Sequence, residues 1–194
     1  MTNALAPTNP WITAAINVMQ VAAQPRDQPV KLAAGGETDV YLDVKGVLVD
    51  RFRMKVAAEA MLVHIHRYRP TTIGGPTMGA DVLSQPMVMV NHKLDNLTWF
   101  SVRSARKTTH GLGLWIEGHR VGPGDRVVIM DDVASSGKSL LDAWDHINEA
   151  GAETVAICPF VDRAGKAEAL LRESGYEGPY APLMTYEDLG LAAL

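Results

Sequence analysis

One cysteine, three phenylalanines and an aromatic content of 6% mark this chain by what it lacks. Cys158 alone cannot close an intramolecular disulfide, and within the apolar run TVAICPFV it reads as a small core residue of an intracellular protein. No apolar stretch approaches the roughly 20 residues needed to span a bilayer. The N-terminal MTNALAPTNPW has neither a basic region nor an apolar one, so no signal peptide is expected and the expected location is cytoplasmic. A net charge of −4 leaves no positive excess for nucleic acid or an anionic membrane, so neither is expected as a partner. Any anion binding has to come from local clusters. Repeats, low-complexity tracts and linkers are missing too. What remains is 194 residues, 47% hydrophobic and 21% charged, the composition of an ordinary globular protein and the length of one domain, 1–194.

Along the chain, helical and extended patterns alternate. PWITAAINVMQVAAQ (10–24) has helical spacing with Pro10 in the first turn, and GGETDVYLDV (35–44) reads as a turn and a short strand. DRFRMKVAAEAMLVHIHRY (50–68) is a long helix stopped by Pro70. TTIGGPTMGADVL (71–83) is a strand, a glycine-rich loop and a helix start, and LTWFSVR (97–103) is extended, followed by a basic stretch to about Gly113. RVVIMD (126–131) is a buried-type strand, KSLLDAWDHINEAG (138–151) a helix closed by glycine, and ETVAICPFVD (153–162) a further strand. KAEALLRESG (166–175) is a helix, and YAPLMTYEDLGL (180–191) a strand and terminal turn. Such alternation predicts an α/β fold, a parallel twisted sheet flanked by helices on both faces.

The informative stretch is VVIMDDVASSGKSLLDAW (127–144). In parallel α/β sheets ligands collect at the carboxyl ends of strands, and Asp131 and Asp132 stand at such an end. The turn after them leads into a helix whose N-terminus offers free N–H groups and about half a positive charge, which suits a phosphate. Ser135, Ser136 and Ser139 add hydroxyl donors, and Gly137 allows close backbone approach. Carboxylates, being acceptors, suit hydroxyl groups or a metal ion. A ribose 5-phosphate presents a phosphate to the turn and two hydroxyls to the acids.

Other readings of these residues are weaker. SSGKS resembles the end of a Walker A loop, but the required first glycine falls on Asp132, which repels phosphate. Simple helix capping accounts for one aspartate and one serine, not for two acids and three hydroxyls. His64 and His66 diverge by about 200° on a helix, which disfavours a shared metal. GLGLWI (111–116) lacks the third glycine of a dinucleotide fingerprint.

VVIMDDVASSGKS resembles the phosphoribosyl pyrophosphate (PRPP) signature of the type I phosphoribosyltransferases: an apolar strand, paired acids and a small hydroxyl-rich loop. Further stretches narrow the resemblance to orotate phosphoribosyltransferases. VRSARKTTHGLGLWIEG (102–118) is similar to their mobile catalytic loop, GGPTMGADVL (74–83) to their pyrophosphate loop, FVDR (160–163) to the strand ending in an orotate-contacting arginine, and KLAAGGETDVYLD (31–43) to their N-terminal segment. The likeness runs from about residue 30 to 175 in the family's order.

The resemblance implies the type I phosphoribosyltransferase fold with a small N-terminal hood formed largely by residues 1–45. It implies transfer of phosphoribose from PRPP to orotate, with Mg²⁺ held through PRPP and water near Asp131 and Asp132 rather than by direct ligation. Arg103, Lys107, His110, Asp131 and Asp132 are the implied catalytic residues. PRPP is expected against Thr77, Met78, Gly79, Arg103, Ser104, Lys107, His110 and the run Asp131, Asp132, Val133, Ala134, Ser135, Ser136, Gly137, Lys138 and Ser139. Orotate is expected against Ser135, Arg163 and Ala33. In the family the mobile loop enters the neighbouring subunit's site, so a homodimer with shared active sites is implied. The loop's cations complement a departing pyrophosphate, each charge-assisted hydrogen bond being worth roughly 1.5–3 kcal/mol. Three departures stand out. Ser104 and Ala33 occupy positions where the family pattern has lysines, and KTTHG carries one extra residue before His110. Lys31, two positions before Ala33 and so on the same face of a strand, is a partial substitute. Transfer to another base, or a non-catalytic nucleotide sensor of the same fold, are the alternatives.

Overall fold

The structure is a computed structural model and describes residues 9–22, 25–31, 37–40, 42–105 and 114–191. It opens with helix α1 (Pro10–Ala22), followed by strands β1 (Pro25–Lys31) and β2 (Glu37–Val40), which pair antiparallel, and the short helix α2 (Val44–Val47). Helix α3 (Arg51–Ile65) begins where the Asp50 carboxylate accepts hydrogen bonds from the Phe52 and Arg53 N–H groups at 2.9 and 3.0 Å. Such a cap satisfies two of the orphan donors of a helix start. A 3₁₀ turn, His66–Tyr68, and Arg69 at φ 49° end it just before Pro70.

Then follow β3 (Thr72–Pro76), α4 (Asp81–Val90), β4 (Thr98–Val102), β5 (Ile116–Gly118), β6 (Arg126–Ile129), β7 (Val133–Ala134) and α5 (Lys138–Glu149). The chain finishes with β8 (Glu153–Ile157), β9 (Val161–Asp162), α6 (Lys166–Glu173) and β10 (Met184–Thr185). The central sheet has the order β5-β4-β3-β6-β8 and is parallel except for the edge pair β4–β5. A smaller parallel sheet has the order β10-β9-β7.

Strand periodicity places the core on both faces. Along β6, Val127 and Ile129 join the cluster containing Leu140, Ala143, Ile147 and Leu171 of α5 and α6. Val128 and the following Met130 join the cluster containing Met19, Met61, Leu62 and Leu83 of α1, α3 and α4. Side chains alternate across a strand, so one β-strand feeds two cores.

Two expectations change. ETVAICPFVD is two strands, because Pro159 has no N–H to give a ladder; β8 lies in the central sheet and β9 in the smaller one. The central sheet also carries an antiparallel edge at IEG, which the alternating pattern did not reveal. Among the described residues no helix is long and apolar enough to cross a membrane.

Candidate active site

Strands β3, β6 and β9 all present their carboxyl ends to one edge, and backbone hydrogen bonds stitch their continuations together. Met130 N–H donates to the Gly74 carbonyl at 2.7 Å, Phe160 N–H to Asp131 at 2.8 Å, Val161 N–H to Asp132 at 3.1 Å and Arg163 N–H to Ala134 at 3.0 Å. These bonds fix the backbone of the acid pair, of the turn behind it and of Arg163 relative to one another. Both acids are nearly enclosed, Asp131 with 9% and Asp132 with 6% of its surface exposed.

The acids do not cap α5. That helix starts at Gly137 with no side-chain cap, at φ 83°. Asp131 Oδ1 instead accepts from the Asp132 N–H at 3.0 Å, and Asp132 Oδ1 from the Val133 N–H at 2.9 Å. Burial, and then the neighbouring Asp132 charge, push the Asp131 carboxyl well above the usual carboxylate range, while the Lys45 ammonium works in the opposite direction. The Lys45 Nζ forms an ion pair with Asp132 Oδ2.

The turn after β3 closes over this pair. Thr77 is anchored through its N–H and its hydroxyl, both donating to the Val102 carbonyl at 2.9 and 3.0 Å. Met78 is exposed. A Cβ on Gly79 would lie 1.9 Å from Asp131 Oδ1 and 2.7 Å from Asp132 Oδ1, so only glycine lets this backbone pass beside the two carboxylates.

Behind the acids, Val133 and Ala134 form β7, and Ser135, Ser136 and Gly137 make the turn into α5. Ser136 and Ser139 are exposed and Ser135 half-buried, so their hydroxyls are open to a ligand at the helix start. Gly137 also has a packing reason. Its left-handed φ and the 2.6 Å that would separate a Cβ from Ala167 Cα make it a packing glycine between α5 and α6. Lys138 turns along its own helix, its Nζ donating to Asp142 at 2.7 Å, which leaves its backbone rather than its ammonium for the turn.

A cleft of about 440 Å³ adjoins the turns, lined by Thr77, Arg103, Ser104, Ser139, Asp142 and Asp145 among others. Stacked rings of Trp115 and His146, 4.6 Å between centroids, form part of its wall. Arg103 follows β4, makes a long 3.5 Å contact to Glu117, and has a buried Nε with no hydrogen-bond partner among the described residues. Ser104 is exposed beside it. Lys107, His110 and Ala33 lie outside the described residues.

Arg163 is where the sequence pointed, at the end of β9, and it is buried, with 7% of its surface exposed. The neighbouring acids are occupied elsewhere. Asp162 accepts from the Tyr180 hydroxyl and from the Ala164 and Gly165 N–H groups, and Glu168 pairs with Arg172. The guanidinium lies over the Tyr186 ring at 5.7 Å, and its Nη2 has no hydrogen-bond partner among the described residues. A buried donor of this kind is costly unless a ligand satisfies it.

Sequence reasoning missed Lys45 and Tyr186. Lys45 carried one faint signal, as the only cation between Lys31 and Arg51 in a stretch with four acids. Tyr186 carried none, because its role depends on β10 pairing with β9.

Comparison with known proteins agrees with this geometry. Residues 54–172 match the phosphoribosyl transferase domain family. The orotate phosphoribosyltransferase of Streptomyces avermitilis is 34% identical over 167 residues, covering 84% of this chain and 88% of the relative. Among solved structures, the orotate phosphoribosyltransferase of Mycobacterium tuberculosis in complex with Fe(III) dicitrate superposes with a TM-score of 0.77 at 27% identity, over 94% of this chain and 100% of that one. A further structure of the Mycobacterium tuberculosis enzyme, in complex with PRPP, shares the fold at a TM-score of 0.75 and 24% identity, with the same coverage. A family match over more than half the chain, and a relative a third identical across most of both lengths, make this protein a member of the phosphoribosyltransferase family.

Proposed function

We propose that the protein transfers the phosphoribosyl group of PRPP to orotate, giving orotidine 5′-phosphate and pyrophosphate. The observation that carries the choice of acceptor is the buried Arg163, whose Nη2 has no hydrogen-bond partner among the described residues, on the same edge as the acid pair and the serine turn. A planar carboxylate matches the guanidinium fork, and orotate has one where uracil, adenine and hypoxanthine do not. The named relatives, all orotate phosphoribosyltransferases, support the same reading.

The residues divide by chemistry. Asp131 and Asp132 accept the ribose hydroxyls, and the N–H groups and hydroxyls from Ala134 to Ser139, Ser135 also facing the base, hold the 5-phosphate at the start of α5. Thr77 to Gly79, with Arg103 and Ser104 and the loop cations Lys107 and His110, receive the pyrophosphate. Arg163 holds the base under a hood built from the segment around Ala33 and the β1–β2 pair, which together with the rest of the chain forms one domain. The bond between the ribose carbon and pyrophosphate breaks with charge building on both fragments. Positioning and electrostatic complementarity are therefore what the chain contributes.

Mg²⁺ fits the donor set. Two adjacent carboxylates are hard oxygen ligands, and Mg²⁺ commonly binds one or two carboxylates together with substrate phosphates. A cation brought in by the substrate would be held near Asp131 and Asp132 through water. When bound, it neutralises pyrophosphate charge. A cytoplasmic homodimer, in which the Arg103–His110 loop of one subunit completes the other's site, belongs to the same proposal.

The test is pyrophosphate release by the wild-type protein with PRPP and Mg²⁺ against a panel of bases. Turnover with orotate and none with uracil, adenine or hypoxanthine is expected. Equal use of uracil overturns the acceptor, and no turnover with any base points to a nucleotide sensor.

A further inference from the structure

Asp132 is fully engaged before any ligand arrives. Its Oδ1 accepts from the Val133 N–H at 2.9 Å, and its Oδ2 is ion-paired to the Lys45 ammonium. Lys45 comes from the opposite end of the chain and is itself firmly placed at its backbone. Helix α2 is only four residues long, but Val44 and Val47 on either side of Lys45 are buried, and the Asp43 carboxylate accepts from the Gly46 N–H at 2.9 Å. The side chain is another matter. Lys45 is 40% exposed against 9% for the Asp132 side chain, so its ammonium, on a four-carbon stem, has a route out to solvent. On another side a Cβ on Gly79 would come within 1.9 Å of Asp131 Oδ1 and 2.7 Å of Asp132 Oδ1, so the Gly79 backbone passes close to both. Thus the one Asp132 oxygen not bonded to the backbone holds a removable cation.

Two neighbouring, nearly enclosed carboxylates without such a cation would form the nucleus of a divalent-metal site. We propose that Lys45 is a positioning residue that acts as the resident counter-cation of the Asp131–Asp132 pair: it holds Asp132 in register and keeps the pair from capturing a free divalent ion, and it is exchanged for the ribose hydroxyls when substrate arrives. The proposal rests on the assignment of the acid pair to the ribose of PRPP, and it adds a residue and a function to it. A cation delivered on pyrophosphate then enters a site that has not been loaded prematurely.

Binding of Mn²⁺ alone, followed by electron paramagnetic resonance in the absence of PRPP, tests the idea on the full-length protein. Lys45→Met keeps the stem and removes the charge. It is expected to bind Mn²⁺ at least about tenfold tighter than wild type, because it lifts the repulsion of a unit positive charge a few ångströms away, whose full value at an effective dielectric of about 20 is larger still. Lys45→Arg should behave as wild type, and Lys45→Met combined with Asp132→Asn should lose the added affinity. A Lys45→Met protein with the wild-type circular dichroism spectrum and unchanged Mn²⁺ affinity overturns the proposal, as does added affinity that survives Asp132→Asn. If Lys45→Met fails to fold, Lys45→Gln provides the same readout. The wild-type assay with PRPP and orotate fails or succeeds independently of this result, so loss of the functional reading and loss of the Lys45 role are separable.

Discussion

The Arg163 guanidinium lies 5.7 Å over the ring of Tyr186, a residue 23 positions later in the chain, and the two meet only because β10 pairs with β9. The ring face supports the cation, and Nη2 has no hydrogen-bond partner among the described residues. If that atom serves the acceptor's carboxylate, Arg163→Ala raises the orotate KM by about tenfold or more, the cost of one lost charge-assisted hydrogen bond. The PRPP KM stays within about twofold. Tyr186→Leu moves the same constant in the same direction by less. Steady-state measurement of both constants decides, and equal rises in the two would remove Arg163 from acceptor recognition.

The acid pair is held at a stability cost. Asp131 is buried beside a second carboxylate, and its pKa is raised by that burial first and by Asp132 second. Asp131→Asn keeps an oxygen for the Asp132 N–H, which now donates at 3.0 Å, and removes the charge. Together with Asp132→Asn it should abolish turnover with the fold intact. Asp131→Asn alone should raise the melting temperature by roughly 2–4 °C, about 1 kcal/mol for a chain of this size. Calorimetry and the pyrophosphate assay read the two effects separately, and a double variant with normal turnover would contradict the assignment.

Complementation tests shared sites. An Arg103→Ala subunit and an Asp131→Asn, Asp132→Asn subunit are each expected to be nearly inactive as homodimers. Mixed dimers contain one site with every group restored if Arg103 and the loop it opens act across the interface. Recovery of a fraction of wild-type activity after verified subunit exchange is expected; no recovery argues for sites complete within one chain.

His64 gives the fold a pH dependence of its own. Its pKa is lowered, by burial first and by the Arg67 charge as a smaller contribution, against the opposing hydrogen bond between Nε2 and the Ala181 carbonyl at 2.9 Å. The folded state therefore binds this proton less readily than the unfolded chain. Its contribution is fully present above the unfolded value of about 6.5 and is lost as pH falls towards the lowered folded one. The melting-temperature advantage of wild type over His64→Gln should shrink between pH 7.5 and 5.5. An advantage that grows on acidification would reverse the sign.

Much of this was local and hence legible in the sequence. The alternation of Val127 to Met130, the Asp50 start and Pro70 stop of α3, and the acids followed by serines each depend on neighbours within a few residues. Strand periodicity and the position of the acids at a strand end were enough to place Asp131, Asp132 and the turn at one sheet edge. Tertiary structure decided the rest. Pro159 sends β8 and β9 into different sheets, which only the pairing partners reveal. Gly137 is required by Ala167 on another helix, and Gly79 by two carboxylates more than 50 residues away. Asp162 is taken from the adjacent Arg163 by the Tyr180 hydroxyl, 18 positions on, and by the Ala164 and Gly165 N–H groups. Lys45 reaches Asp132 across 87 positions of sequence. Charges and packing partners of that kind act through space, and no spacing rule along the chain encodes the distance between them.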